Sequence, residues 1–186
     1  MPDGRADAGR WQTEDMLDAL PLPHPFESRA GEALLRRATP ADADAVIALL
    51  ADDPISAARG DRAAEEDRPA YTAALAEILA DPSNDLLVVE HGGAIVGTLQ
   101  LTLIPGMARR GAKRLLVEAV RVRSDLRSSG IGSAVMRWVA DPAAPALGAA
   151  LVQLTSDAAR TDAHRFYERL GYTGSHIGFK LRIPRG

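Results

Sequence analysis

Cysteine is missing altogether from this chain of 186 residues. Disulfides, thiolate metal sites and a cysteine nucleophile are therefore excluded, and any covalent intermediate would have to form on another residue. Charge of one sign is not in excess either. The 22 Lys and Arg stand against 25 Asp and Glu, and the net charge of −3 offers no general attraction to phosphate polymers such as nucleic acid. No apolar run approaches the roughly 20 residues that span a bilayer. His24, His91 and His176 are scattered singly, so no metal site is expected.

What is there is an ordinary globular balance, 46% apolar and 25% charged, with enough burial to offset chain entropy without cross-links. Residues 1–30 mix Gly4, Gly9, Pro21, Pro23 and Pro25 with charges and read as a flexible lead-in, in which Trp11, Met16, Leu17 and Leu20 could form a short docking helix. This stretch lacks the apolar centre and cleavage site of a signal peptide, which makes the cytoplasm the default expectation. Residues 31–186 read as one domain.

Ala33 to Arg37 looks like a first strand, and Thr39-Pro40-Ala41-Asp42 opens a helix with Val46, Ile47, Leu49 and Leu50 inward. Tyr71, Leu75, Ile78 and Leu79 mark a second helix that stops at Asp81-Pro82. Leu86 to Glu90 and Ala94 to Leu103 read as antiparallel strands around a glycine turn, with Ile95, Leu99, Leu101 and Leu103 on one face. A strand from Leu115 to Arg123 and a helix from Gly130 to Ala140 follow. Then come a strand from Ala149 to Ser156, a helix carrying Ala163, Phe166, Tyr167 and Leu170, and a last strand from Phe179 to Ile183. The order predicts an α/β fold with a mixed, mostly antiparallel central sheet and helices on both faces.

The most informative segment is Arg127-Ser128-Ser129-Gly130-Ile131-Gly132-Ser133, between a valine-rich strand and an amphipathic helix. Unpaired amides at a helix N-terminus, with the positive end of the helix dipole, form an anion site, and glycines admit a ligand close to the backbone. A Walker loop would need a Gly-Lys-Ser/Thr ending, and a dinucleotide fingerprint a third small residue where Val135 stands. Neither is present. In this context Arg-x-x-Gly-x-Gly resembles the GNAT superfamily of N-acetyltransferases, and the resemblance implies that the loop holds the CoA pyrophosphate. It extends to Val120-Arg121-Val122, where the family's central strand pairs with the pantetheine arm. It also takes in Leu154-Thr155-Ser156-Asp157 and Ala163 to Tyr172, which look like the family's closing strand–helix block. Ser128 stands where a glycine is usual, and Asp157 where many relatives carry a cofactor-contacting asparagine.

What the resemblance implies is transfer of an acetyl group from acetyl-CoA to an amine, a small molecule or peptide, by direct attack in a ternary complex. The alternative is an acyl-CoA-binding sensor that does no chemistry. An alkylamine with a pKa near 10.4 is neutral in only about one molecule in 10³ at pH 7, so a base or water chain must take its proton. Glu118 is the first candidate, because strict strand alternation places it on the face of Leu116, Val120 and Val122. An ion pair with Arg114 or Arg121, or plain exposure, is the other reading. Tyr167 resembles the family's tyrosine that protonates the departing sulfur, unless it merely completes the apolar stripe with Ala163, Phe166 and Leu170. A hydrolase triad of Ser156, Asp157 and His164 is set aside, because no Gly-x-Ser-x-Gly elbow surrounds the serine.

Arg109, Arg110, Lys113, Arg114, Arg121, Arg123 and Arg127 form a basic run that could meet the 3′-phosphate of CoA. From Asp42 to Asp67 the balance reverses, and an acidic mouth there would draw in a cationic amine. Homodimerisation is compatible with the sequence but not readable from it.

Overall fold

The structure is a computed structural model that describes residues 17–58 and 60–183. Six strands form one sheet in the order of the chain: β1 (His24–Ser28), β2 (Gly31–Arg37), β3 (Asn84–His91), β4 (Ala94–Ile104), β5 (Lys113–Val122) and β6 (Ala149–Leu154). All neighbours are antiparallel except β5 and β6, which are parallel. The helices in chain order are α1 (Ala43–Ala51), α2 (Pro54–Ala57), α3 (Arg68–Ala80), α4 (one irregular turn, Ala108–Gly111), α5 (Ile131–Trp138), α6 (Ala144–Ala146) and α7 (Thr161–Arg169).

The strand alternation of β4 and β5 divides the core in two. Leu99, Leu101, Leu103, Leu115 and Val117 point to one face and pack with Ile131, Val135, Met136 and Trp138 of α5, whose apolar stripe the sequence had marked. On the other face α1 and α3 bring Ala43, Val46 and Leu75 against Leu86 and Val88. Gly97 lies where β3, β4 and β5 come closest. A Cβ there would stand 3.1 Å from the Arg121 carbonyl and 3.3 Å from Val89, so the close approach of the strands requires a residue without one.

The start of α1 is built as the sequence indicates. The Asp42 carboxylate accepts from the Thr39 amide and hydroxyl at 2.8 and 2.9 Å and takes two hydrogen bonds from Arg36 at 2.9 Å each. The Arg36 guanidinium, with Thr39, holds the Asp42 pKa down to about 2 against the opposing effect of burial.

Three expectations are corrected. The sheet begins inside the supposed lead-in: His24–Ser28 pairs with Gly31–Leu35, and Leu17 and Leu20 are buried against the core, while Trp11 and Met16 lie outside the described residues. Ile95 packs with the α1 and α3 cluster and not with Leu99, because β4 carries one extra residue, Val96, opposite the step from Val89 to Glu90, and this shifts the register. No strand forms from Phe179 to Ile183, for want of a neighbouring strand to pair with.

Candidate active site

The parallel pairing of β5 with β6 runs from Lys113↔Ala149 to Val117↔Leu154 and stops there. β5 continues to Val122, whereas the chain after Leu154 turns away through Thr155, Ser156 and Asp157 toward α7. Residues 118–122 are thus left without a ladder on their β6 side. On their β4 side Gln100 faces Glu118 and Thr98 faces Arg121, so that Ala119 and Val120 together oppose Leu99. This is a β-bulge, and Ala119 takes the left-handed φ of 51° within it.

The bulge breaks the alternation on which the burial of Glu118 was expected. Val120 and Val122 pack with the α5 core, whereas Glu118 stands across from Gln100 on the α1 and α3 side and is exposed. There Gln100 and Ala119 line a cavity of about 110 Å³ together with Ile47, Tyr71 and Leu75. Arg121, one register step on, points to the same side. Its guanidinium donates to Ser56 Oγ at 2.6 Å and to the Val120 carbonyl at 2.8 Å, and its Nε is buried without a hydrogen-bond partner.

Between β5 and α5 the chain makes a short turn at Ser124–Leu126, then places Ser128 at φ 63° and Gly130 at φ 98° before the helix starts. Gly130 adopts its left-handed conformation at no steric cost, and Ser128 does so at a cost. Arg29, in the β1–β2 turn, donates from its amide to the Ser129 carbonyl at 2.8 Å and from its guanidinium to the Ser128 carbonyl. Because a trans peptide points its C=O and N–H in opposite directions, fixing the Ser129 carbonyl turns the Gly130 amide the other way. The first bond within the helix is from the Ala134 amide to the Gly130 carbonyl at 2.9 Å, which leaves the amides of Ile131, Gly132 and Ser133 as the open first turn. Gly132 lies over Val122 and the Phe166 ring, so that the loop, β5 and α7 meet at one place. Ser129 Oγ and Ser156 Oγ are both buried without a partner, and such orphaned hydroxyls fit a polar ligand held between the loop and the exit of β6.

Arg127 is not aimed at the helix opening. It donates to the Asp52 carbonyl at 3.0 Å, at the end of α1, and the Asp52 carboxylate accepts from the Ser124 amide at 2.7 Å. Asp157 accepts from the Ala159 amide at 2.8 Å, and its carbonyl lies 2.8 Å from His164 Nε2. His164 therefore secures the turn into α7.

Tyr167 sits among Phe166 and Tyr172, ring centroids 5.1 and 5.8 Å away, and packs on the main core. Burial pushes its pKa above the ordinary value, while the Arg121 and Arg160 guanidiniums pull it back. Arg160 is clamped by the Asp53 carboxylate through two bonds of 2.5 Å and approaches Ser56 Oγ at 3.4 Å. The Arg160 guanidinium in turn holds the Asp53 carboxyl well below the usual carboxylate range. Two arginines and one carboxylate thus converge on Ser56 beside Tyr167, and the Asp61 carboxylate acts on Arg121 from further off. Arg29, Asp53, Ser56 and Arg160 carry no sequence signal, since each reaches the site across a long stretch of chain.

Folding divides the two charge patterns read from the sequence. β5 is ten residues long, about 33 Å, and carries Lys113 and Arg123 toward opposite ends of the sheet. Of the acids between Asp42 and Asp67, Asp42, Asp44 and Asp53 pair with Arg36, Arg68 and Arg160, and Asp52 holds Ser124, whereas Glu65, Glu66 and Asp67 stay together in one turn at the surface. Among the described residues no three His, Asp or Glu come together as a metal site, and no helix is long and apolar enough to cross a membrane.

Comparison with known proteins agrees with this geometry. Residues 44–172 match the model of the acetyltransferase (GNAT) family. The chain is 32% identical over 145 residues to the aminoalkylphosphonate N-acetyltransferase of Salmonella typhimurium, covering 78% of this chain and 88% of that one. The crystal structure of a protein from Bacillus halodurans, described as a transcriptional regulator, superposes with a TM-score of 0.76 at 37% identity, over 86% of this chain and 100% of that one. Glucosamine-6-phosphate N-acetyltransferase from Arabidopsis thaliana shares the fold at 19% identity, with a TM-score of 0.65 over 82% of this chain and 99% of that one. With an open helix N-terminus beside a bulged, partly unpaired strand, and a family match over most of its length, the chain belongs to the GNAT family and is an acetyl-CoA-dependent N-acetyltransferase.

Proposed function

We propose that the acceptor is an amine that also carries an anionic group, and that it is acetylated directly in a ternary complex. The observation that carries this reading is the convergence of Arg121 and Arg160 on Ser56 beside Tyr167, where Asp53 clamps Arg160 while among the described residues no carboxylate comes within hydrogen-bonding distance of the Arg121 guanidinium, Asp61 acting on it only from further off. Two guanidiniums at one place disfavour a polyamine and favour a phosphonate, phosphate or carboxylate tail. The acceptor in the name of the Salmonella relative is of this type.

In this reading the amides opening α5, with Ser128, Ser129 and Ser133, hold the pyrophosphate, and the exposed edge of Val120-Arg121-Val122 aligns the pantetheine arm, flanked by Ser156 and Asp157. Arg127 fixes the loop to α1 and does not grip phosphate itself. The amine attacks the thioester carbonyl, the new C–N bond forms as the C–S bond breaks, and Tyr167 gives its proton to the departing sulfur. A phenol near 10 and a thiol near 8.5 are close enough for that transfer. Glu118, at the rim on the acceptor side, takes the amine proton through water.

The test is thiol release from acetyl-CoA over a panel of aminoalkylphosphonates, amino acids, polyamines, aminoglycosides and peptides. Amines with an anionic tail are expected to give the highest kcat/KM, and Arg121→Met to raise their KM about 10-fold with little change in the KM for acetyl-CoA. A preference for polyamines, or an unchanged acceptor KM in the variant, removes the arginines from recognition.

A further inference from the structure

The turn between β1 and β2 carries Arg29 onto the loop before α5. Ser28 and Gly31 face each other across that hairpin, and the Ser28 hydroxyl both donates to the Gly31 carbonyl at 3.0 Å and accepts from the Ala30 amide at 3.1 Å. β2 in turn pairs with β3, so the turn is held on the sheet. From it the Arg29 amide reaches the Ser129 carbonyl and its guanidinium the Ser128 carbonyl, in two consecutive peptides of the loop. A Cβ on Gly130 would stand 3.8 Å from the Arg29 nitrogen, which places the arginine against the residue that opens the helix.

This cation lies at the end of a helix that disfavours it. The N-terminus of α5 is the positive end of its dipole, where an anion is stabilised and an arginine is not. Arg127 is drawn off to Asp52, but among the described residues no carboxylate pairs with Arg29. Its charge is therefore unfavourable in the ligand-free protein and is offset once an anion meets the loop. Arg29 also stands on the carbonyl side of that loop. A carbonyl that accepts a hydrogen bond makes the N–H of its own peptide a stronger donor, and the N–H paired in this way with the Ser129 carbonyl is that of Gly130, which points away from Arg29.

We infer that Arg29 is a positioning residue for the nucleotide end of acetyl-CoA. It fixes and polarises the Ser129–Gly130 peptide, and it supplies the positive charge at the loop that Arg127 does not. The anchor comes from a hairpin that lies ahead of residues 44–172, the part of the chain that matches the family. This inference rests on the reading that the loop holds the pyrophosphate and is independent of the acceptor.

The test compares the wild type, Arg29→Ala and Arg29→Lys by calorimetry with acetyl-CoA, by steady-state kinetics and by thermal melting without ligand. Arg29→Ala is expected to bind acetyl-CoA about 10-fold more weakly and to raise its KM in step, with kcat and the acceptor KM at saturating acetyl-CoA within about 2-fold. Arg29→Lys should recover part of the loss through its charge. Without ligand, Arg29→Ala should melt no earlier than the wild type, which a merely structural arginine would not allow. Wild-type affinity in Arg29→Ala, or melting well below the wild type, overturns the inference. Hydrogen exchange separates that failure from failure of the loop reading. If acetyl-CoA slows exchange at the amides of residues 130–133 and Arg29→Ala still binds at full strength, Arg29 alone is dismissed. If those amides exchange as fast with acetyl-CoA as without it, the loop reading falls and this inference with it.

Discussion

Tyr167 stands where burial and charge pull in opposite directions. Removal from water keeps the phenol protonated well above neutrality, and the two arginines prevent that shift from growing so large that the proton could not leave. The expected result for Tyr167→Phe is unchanged affinity for acetyl-CoA and a loss of about 10²-fold in kcat. The wild-type kcat should decline as pH rises past the tyrosine's raised pKa, where the acid is lost, and the variant should lack that alkaline decline. A variant with wild-type turnover would reduce Tyr167 to a packing residue. The neighbouring Tyr172, pushed up to about 12 by burial, has no such counterweight and is the poorer acid.

At the scale of elements, what could be read in advance was whatever is encoded locally. The Thr39–Asp42 cap, the stripe of α5 and the glycine-rich helix opening all lie within a few residues of the features that create them, and all are present. The bulge at Ala119 was not legible, because it is a property of how β5 registers against β4 and not of either strand alone. That one extra residue moved Glu118 to the face opposite Val120. The strand at His24–Ser28 was hidden by the prolines before it and by Pro25 within it, and the Phe179–Ile183 pattern was recognised as a strand although its own sheet gives it no neighbour. The loop before α5 offers a test of local encoding. Ser128 holds a left-handed φ of 63° where a glycine would rest without strain. Ser128→Gly is expected to raise stability in urea by about 0.5–1 kcal/mol after the glycine's greater unfolded freedom is subtracted, with acetyl-CoA affinity held within about 3-fold. A loss of stability would mean that the serine side chain contributes more than its backbone costs.

For the molecule as a whole, Arg160 and the loop before α5 are fastened to consecutive residues. Asp53 clamps Arg160, while Asp52 takes the Ser124 amide and its carbonyl takes Arg127. The hinge between α1 and α2 is thus a common tether, and a tug at one end is transmitted to the other. Binding an amine should tighten or loosen the grip on the nucleotide, with the same factor in the reverse direction, as linkage demands. Calorimetry of acetyl-CoA with and without a dead-end acceptor analogue should show that crosstalk in the wild type and its weakening in Asp52→Ala, which removes the carboxylate that holds the Ser124 amide and keeps the carbonyl that accepts from Arg127. If the factor is the same in both proteins, the two halves of the reaction are held by independent anchors. If it shrinks, a single carboxylate at the end of a helix lets one substrate sense the arrival of the other.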